Sequence, residues 1–393
     1  MAESTRNLPV NKQKETSMKK VRAFTWHTII LTLTCLAMLF FYGQVMGYAH
    51  FFSTIMKTAH DLLLNTVFFI MAICVLAGSL GGFMTEFGIL ALLNRLLAPL
   101  IRVLWGLPGA ASIGALSTFI SDNPAIITLA RDENFIKYFK PYQRPALTNF
   151  GTSFGMGLIV VAFMMSLGFF RESMLGLLGA LCGSIVSTRL MLWHTARTMG
   201  TAWDNSGHQE LDESDLLNYR LIRDGNRMSR LLESLLDGGK NGLEIGIQII
   251  PGVLIICTMV LMMTFDAGAA GYNGSAYQGI PILSTLGSLL AIPLDLLFGF
   301  SASDAIAFPI TALGAVGAAL ALVPHFLGLG AIGGNEIAVF TAIGMCWSGF
   351  LSTHIAMMDV MGYRQLTTKA ISFQTVGGLC AGVLAHYLFA LCS

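Results

Sequence analysis

The sequence predicts an all-α membrane protein of about seven transmembrane helices and two re-entrant helical hairpins, arranged as two inverted repeats. Three observations predict it. The 393-residue chain is 54% hydrophobic and 11% charged, with a mean hydropathy of +0.69, whereas soluble domains carry roughly 25% charged residues. Its Lys and Arg fall on one side of a simple topology, and its two halves repeat one another.

Apolar runs near or above the roughly 20 residues that cross a bilayer occupy about 24–47, 62–80, 147–170, 173–192, 243–264, 337–358 and 370–391. Each predicts one span. The first follows a basic, polar stretch with no small-residue cleavage site, so it predicts an uncleaved helix behind a cytoplasmic tail, 1–23. Two further apolar regions, 83–131 and 283–324, are interrupted by Gly, Pro and acids and do not read as clean helices. The seven cysteines sit in apolar segments without CxxC or metal-ligand spacing, which predicts packing residues, no disulfide framework and no metal. No P-loop, HExxH, GxSxG or dinucleotide fingerprint occurs. That argues against a soluble-enzyme activity, a cofactor, or ATP-driven transport by this chain alone. A net charge of +1 argues against nucleic acid as a partner.

Basic residues collect on the cytoplasmic side of membrane proteins. With the N-terminus inside and 83–131 leaving from and returning to the cytoplasm, all of the 23 Lys and Arg except Lys57 and Arg171 lie inside. The same topology makes 283–324 enter from the outside, so the halves become inverted copies. The residues support this independently. "LLAPLIRVLWGLPGAASIGAL" from Leu96 parallels "LLAIPLDLLFGFSASDAIAF" from Leu289 at an offset of 193, and "TNFGTSFGMGL" from Thr148 meets "TAIGMCWSGFL" from Thr341 at the same offset. The predicted organisation is a tail (1–23), a first helix and loop (24–60), repeat one (61–192), a charged cytoplasmic linker with a short amphipathic helix (193–242) and repeat two (243–393).

One stretch carries chemistry. "STFISDNPAIITLARD", residues 117–132, places Asp122, Asn123 and Pro124 between apolar runs. Asn123 suits an N-cap and Pro124 the first helical turn. "SDNP" is therefore a turn between a helix ending near Ile120 and one starting near Ala125. The tip lies 12 residues beyond Pro108, about 18 Å of helix, which is membrane mid-depth. An acid there is costly and marks a solute, ion or proton pathway, unless it only caps the hairpin. In the copy-to-copy alignment the opposite tip is Gly314–Gly317, "GAVG", which offers backbone groups alone.

"GLPGAASIGALSTFISDNPAIITLARD" resembles the Gate, or nucleoside-recognition, domain. Similar segments occur in the membrane part of ferrous-iron transporters, in spore-maturation membrane proteins and, more distantly, in concentrative nucleoside transporters. The cysteine of the iron transporters is missing from the triplet position here, which speaks against iron. "SDNPA" resembles the Gln-Thr-Glu-Ala-Pro hairpin of the nucleoside transporters, and "GGNEIAVF" (Gly333–Phe340) resembles their Asn-Glu-Phe-Val-Ala-Tyr element. The resemblance covers about 90–170, with a weaker second copy. It implies a bacterial inner-membrane location and a site that includes Asn335 and Glu336.

The resulting expectation is an ion-coupled secondary transporter of a small polar organic solute, such as a nucleoside, base or amino compound. Its solute would meet Ser121, Asp122, Asn123, Asn335, Glu336 and His354. Thr148, Asn149, Thr152, Ser153 and Asp304 would serve the coupling ion, H⁺ or Na⁺. Each has a structural alternative: Ser301–Asp304, "SASD", has capping-box spacing, Asn335 and Glu336 can cap a helix, and His354 can be a hydrogen-bonded buried histidine. Membrane lipids and a homo-oligomeric partner copy complete the expected partners. The competing classes are an assembly subunit of the spore-maturation type and an intramembrane enzyme pairing His354 with Asp122 or Glu336.

Overall fold

The structure, a computed structural model, describes residues 23–200, 219–220, 222–268 and 271–393. The regular structure among them is helical, and seven helical segments are long and apolar enough to span a bilayer. The chain divides into two compact units, Met1–Tyr48 and Ala49–Ser393. The first unit holds α1 (Trp26–Met46), whose N-cap Thr25 Oγ1 accepts from the Thr28 amide at 3.3 Å. This helix is apolar all round, with Ile29, Ile30, Leu33 and Leu36 exposed, as suits lipid.

The second unit contains the same succession of elements twice. In the first half, α2 (Tyr48–Asp61) continues through a π-helical turn (Leu62–Val67) into α3 (Phe68–Glu86), a 39-residue span. It is followed by α4 (Ile89–Leu104), the hairpin of α5 (Ala111–Ile120) and α6 (Pro124–Arg131), a short α7 (Glu133–Ile136), a broken span of α8 (Ala146–Thr152) and α9 (Gly157–Ser166), and the 30-residue α10 (Phe170–Met199). In the second half, α11 (Arg227–Gly252) passes through a π-helical turn (Val253–Cys257) into α12 (Thr258–Thr264), making a 38-residue span. After α13 (Ile282–Leu289) and α14 (Ala291–Phe298), the second hairpin is α15 (Ala307–Gly314) and α16 (Val316–Gly328). It is followed by a second broken span, α17 (Gly334–Trp347) and α18 (Phe350–Val360), and by α19 (Thr367–Cys392).

Three of the expected boundaries differ. Residues 48–61 are helix, not loop, while 193–199 belong to α10 and 227–242 to α11, not to a linker. The charges of 227–242 look like a solvated linker, but they alternate with glycines that let α11 pack on α3. A Cβ at Gly242 would stand 2.0 Å from the Cys74 carbonyl oxygen, and one at Gly78 2.4 Å from that of Gly238. Only side chains this small let two membrane helices approach so closely. The short amphipathic helix expected within 193–242 meets a described helix over 227–242, as the start of α11; residues 201–218 of that stretch lie outside the described residues.

The hairpins have separate supports. The first packs with Trp105, Phe135, Phe139, Phe150 and Phe154 around Ile126. The second is buried along the first half of α16, where every residue from Val316 to Val323 is buried.

Candidate functional site

Four helix breaks meet at one cavity. The first is the predicted turn: α5 stops at Ile120, Ser121 leaves helical geometry (φ −110, ψ −111), and α6 begins at Pro124. The second is the gap between α8 and α9, where Met156 adopts a left-handed φ of 53°. The third is the tip between α15 and α16, at Ala315 (φ −160, ψ 118). The fourth is the gap between α17 and α18, where Ser348 and Gly349 are both left-handed, with φ of 34° and 68°. Glycine is needed at the last position, because a Cβ there would also stand 2.8 Å from the Gly314 carbonyl oxygen.

Each break frees backbone groups that hydrocarbon cannot satisfy. They are shared between the breaks. Asn123 Nδ2 donates to the Ser348 carbonyl at 2.6 Å and to Thr353 Oγ1 at 3.1 Å, joining the first break to the fourth. The Gly349 amide donates to the Ala312 carbonyl at 3.0 Å, joining the fourth to the third. Gly155 fits against Asn123 Oδ1 and Ser348 Oγ, both within 2.6 Å of where its Cβ would be, which brings in the second.

Between them lies a cavity of about 250 Å³, lined by Asp122, Asn123, Pro124, Met156, Gly314–Ala318, Ser348, Gly349, Ser352 and Thr353, and closed by Ile245, Gln248, Ile249 and Gly252 of α11. Asp122 is the one carboxylate among the lining residues, and no cation faces it. Its Oδ1 accepts from the Asn123 amide at 2.7 Å, leaving the second carboxylate oxygen for the cavity. Asn123 Oδ1 and Ser348 Oγ are buried and have no hydrogen-bond partner among the described residues. Buried polar atoms are nearly always paired, and these two orphans, carried by residues of the cavity wall, lie together against Gly155 at the meeting point of the breaks.

The expected site residues divide sharply. Asp122 and Asn123 line the cavity, but Asn123 makes no side-chain cap to α6; it reaches across to α18 instead. Ser121 turns back, its Oγ donating to the Ser117 carbonyl at 2.7 Å. Asn335 and Glu336 do not line the cavity. Glu336 accepts from the Gly333 amide (2.9 Å), capping the helix start from its third position, and from the amide and hydroxyl of Ser301 (3.1 and 2.9 Å). Asn335 donates to the Phe298 and Gly299 carbonyls at 2.8 Å and meets His386 Nδ1 through its oxygen. They begin a helix of 14 residues whose other end is at the cavity, roughly 20 Å away. The capping box expected within Ser301–Asp304 is replaced by this contact: Ser301 serves Glu336, and Asp304 sits in a 3₁₀ turn (Ser303–Ile306) beside Ser303 Oγ at 3.4 Å.

His354 is fully buried against the Phe350 ring, with neither ring nitrogen hydrogen-bonded among the described residues. It faces the protein interior beside the cavity's α18 wall and does not line it. Asn149 and Ser153 belong to a buried brace behind the second break. Asn149 Nδ2 donates to Ser187 Oγ at 3.0 Å and to the Ala370 carbonyl at 2.9 Å, while Gln374 Nε2 donates to Ser153 Oγ at 3.0 Å and to the Cys346 carbonyl at 2.6 Å. The hydroxyls of Thr148 and Thr152 are buried without partners among the described residues. Gln248, Ser348, Ser352 and Thr353 were missed as wall residues. The signal for Ser348 was present, since "CWSGF" aligns with "SFGMG" around the other break.

Solved structures of CNTnw, a concentrative nucleoside transporter, share this fold. One is a doubly substituted variant in an outward-facing state (TM-score 0.55, 12% identity, covering 93% of this chain and 84% of that chain). Another is CNTnw in an inward-facing substrate-bound state (TM-score 0.54, 13% identity, 93% and 85%). A third is a variant in an intermediate state (TM-score 0.52, 14% identity, 92% and 84%). No protein-family model matches the chain, and no curated protein matches it. The chain thus has the helical architecture of a multi-pass membrane protein, and its likeness to these transporter structures is one of fold.

Proposed function

We propose that the chain is an ion-coupled secondary transporter that carries a small polar organic solute through the cavity at the four helix breaks. The observation that carries this reading is the convergence itself. Repeated broken helices that meet near mid-membrane are how secondary transporters expose backbone groups to solute and ion, and the CNTnw structures of the same fold are of a transporter. With one carboxylate, several amide and hydroxyl groups and no cation in its wall, the cavity suits a neutral or cationic hydrogen-bonding solute: a nucleoside, a base or an amino compound. Strongly anionic solutes are disfavoured. Asp122 is the residue assigned to coupling with H⁺ or Na⁺, because its charge stands where solute and ion both pass. The location assigned is the bacterial inner membrane, with the N-terminus in the cytoplasm.

The test is uptake by the full chain in proteoliposomes, with labelled nucleosides, nucleobases, small amines and carboxylates offered under H⁺ or Na⁺ gradients. At least one non-anionic solute accumulates in the wild type, and Asp122→Asn abolishes gradient-driven accumulation while leaving the melting temperature within a few degrees. Accumulation of carboxylates alone, or full activity in Asp122→Asn, refutes the assignment.

A further inference from the structure

A second cavity, of about 440 Å³, adjoins the first: the two share Ile245, and the second ends on Ile120 and Ser121, beside Asp122. Its other walls are Gly78–Glu86 of α3, Asp237–Gly242 of α11, and Ile222 and Arg223 from the segment preceding α11. That segment lies across the end of the cavity and is held by ion pairs. Glu86, with its side chain 6% exposed, accepts from Arg230 Nε at 2.6 Å. Arg223 spans Glu86 at 3.4 Å and Asp237 at 3.2 Å, with 36% of its side chain exposed, and its backbone amide donates to Glu86 Oε1 at 3.3 Å.

The two arginines differ in what holds them. Arg230 and Glu86 are a short, desolvated pair on two closely packed helices, and removing one partner of such a pair leaves a buried charge uncompensated. Arg223 makes longer, half-exposed pairs of the kind that contribute little and exchange readily with water. Between them stands Gly225, at φ +110° with no side-chain or backbone atom nearer than 3.6 Å to where its Cβ would be. Asn226 then restarts the helix by accepting from the Ser229 amide at 2.9 Å. A left-handed glycine in open space next to a capped helix is a backbone joint that can swing without disturbing α11.

We propose that Ile222–Gly225 is a gate at the Glu86 end of the pathway, with Arg223 as its latch, Gly225 as its hinge and Arg230–Glu86 as its fixed post. The gate controls access to the cavity at Asp122, and this role rests on the transporter reading. The basic-residue distribution places the gate on the cytoplasmic side.

The test reads access directly and does not need transport. Ser121→Cys, where the second cavity meets the first, on a chain with Cys35, Cys182, Cys380 and Cys392 changed to Ser, is labelled with a membrane-impermeant maleimide in the reconstituted full-length protein. Arg223→Gln is expected to raise the labelling rate about two- to five-fold, the range for losing a half-exposed ion pair, without lowering the melting temperature. Arg223→Lys restores slow labelling, and Arg230→Gln lowers the melting temperature. An unchanged labelling rate in Arg223→Gln overturns the gate, as does a loss of melting temperature equal to that of Arg230→Gln, which makes Arg223 structural. Absence of uptake by the wild type, with the labelling shift intact, refutes the transporter reading and leaves the moving latch standing.

Discussion

The hairpin of α5 and α6 turns through Ser121, Asp122 and Asn123, and its tip supplies a carboxylate and an amide. The hairpin of α15 and α16 turns through Ala315 between Gly314 and Val316, and supplies only backbone. Both are a helix stopped and restarted, and both reach the same cavity. The first is partly exposed along its length, while the second is buried without interruption from Val316 to Val323 and open only towards its tip and end. The difference teaches how a duplicated fold acquires an asymmetric site. The backbone device is common to both halves because the break alone creates hydrogen-bonding capacity, whereas the carboxylate and amide side chains come from one tip only.

If that division holds, substitutions at the four breaks should separate into architectural and chemical classes. The largest effect is expected from Gly349→Val, which puts a β-branched side chain at φ +68° and 2.8 Å from the Gly314 carbonyl oxygen. It should cost about 2–3 kcal/mol and abolish uptake, seen as a lowered melting temperature in detergent. Asn123→Ala comes next. It removes the donors to Ser348 and Thr353, at about 1–2 kcal/mol, and should weaken solute binding as well, because Asn123 both braces the breaks and faces the cavity. Gly314→Ala sharpens the contrast from the other tip. The nearest atom to its Cβ is Ile256 Cδ1 at 3.7 Å, so stability should hold or rise by up to about 1 kcal/mol, while the added methyl reduces solute affinity several-fold. The smallest effect on uptake is expected from Glu336→Gln, which weakens a helix cap by about 1 kcal/mol and leaves the apparent solute affinity unchanged.

The spans, both hairpin tips and the alignment of 148–158 with 341–351 were legible because hydrophobic length, Gly/Pro interruption and internal alignment are one-dimensional signals, whereas the breaks inside those two spans were not read. The placement of Asn335 and Glu336 was not. A polar pair at the start of a buried helix reads the same whether it faces a solute or its own fold, and the partners that settle it, Ser301, Phe298, Gly299 and His386, are distant in sequence. The N-terminal half of α11 was hidden for a different reason. Its Arg, Asp and Lys suggest a solvated linker, and only contact with α3 reveals why glycines recur among them. The contribution of Gln248 likewise depends on α11 crossing the cavity, which periodicity along one helix does not report.

The claim that the four breaks enclose the solute site is tested most directly by solute protection. Ser352→Cys, in the cavity wall, and Asn335→Cys, at the far end of α17, are each made on the chain with Cys35, Cys182, Cys380 and Cys392 changed to Ser and labelled with a maleimide, with and without a solute that the uptake assay has shown to be transported. Slowed labelling at Ser352→Cys with no change at Asn335→Cys is the predicted result; protection at Asn335→Cys alone would contradict it and place the site at the Ser301–Glu336 end.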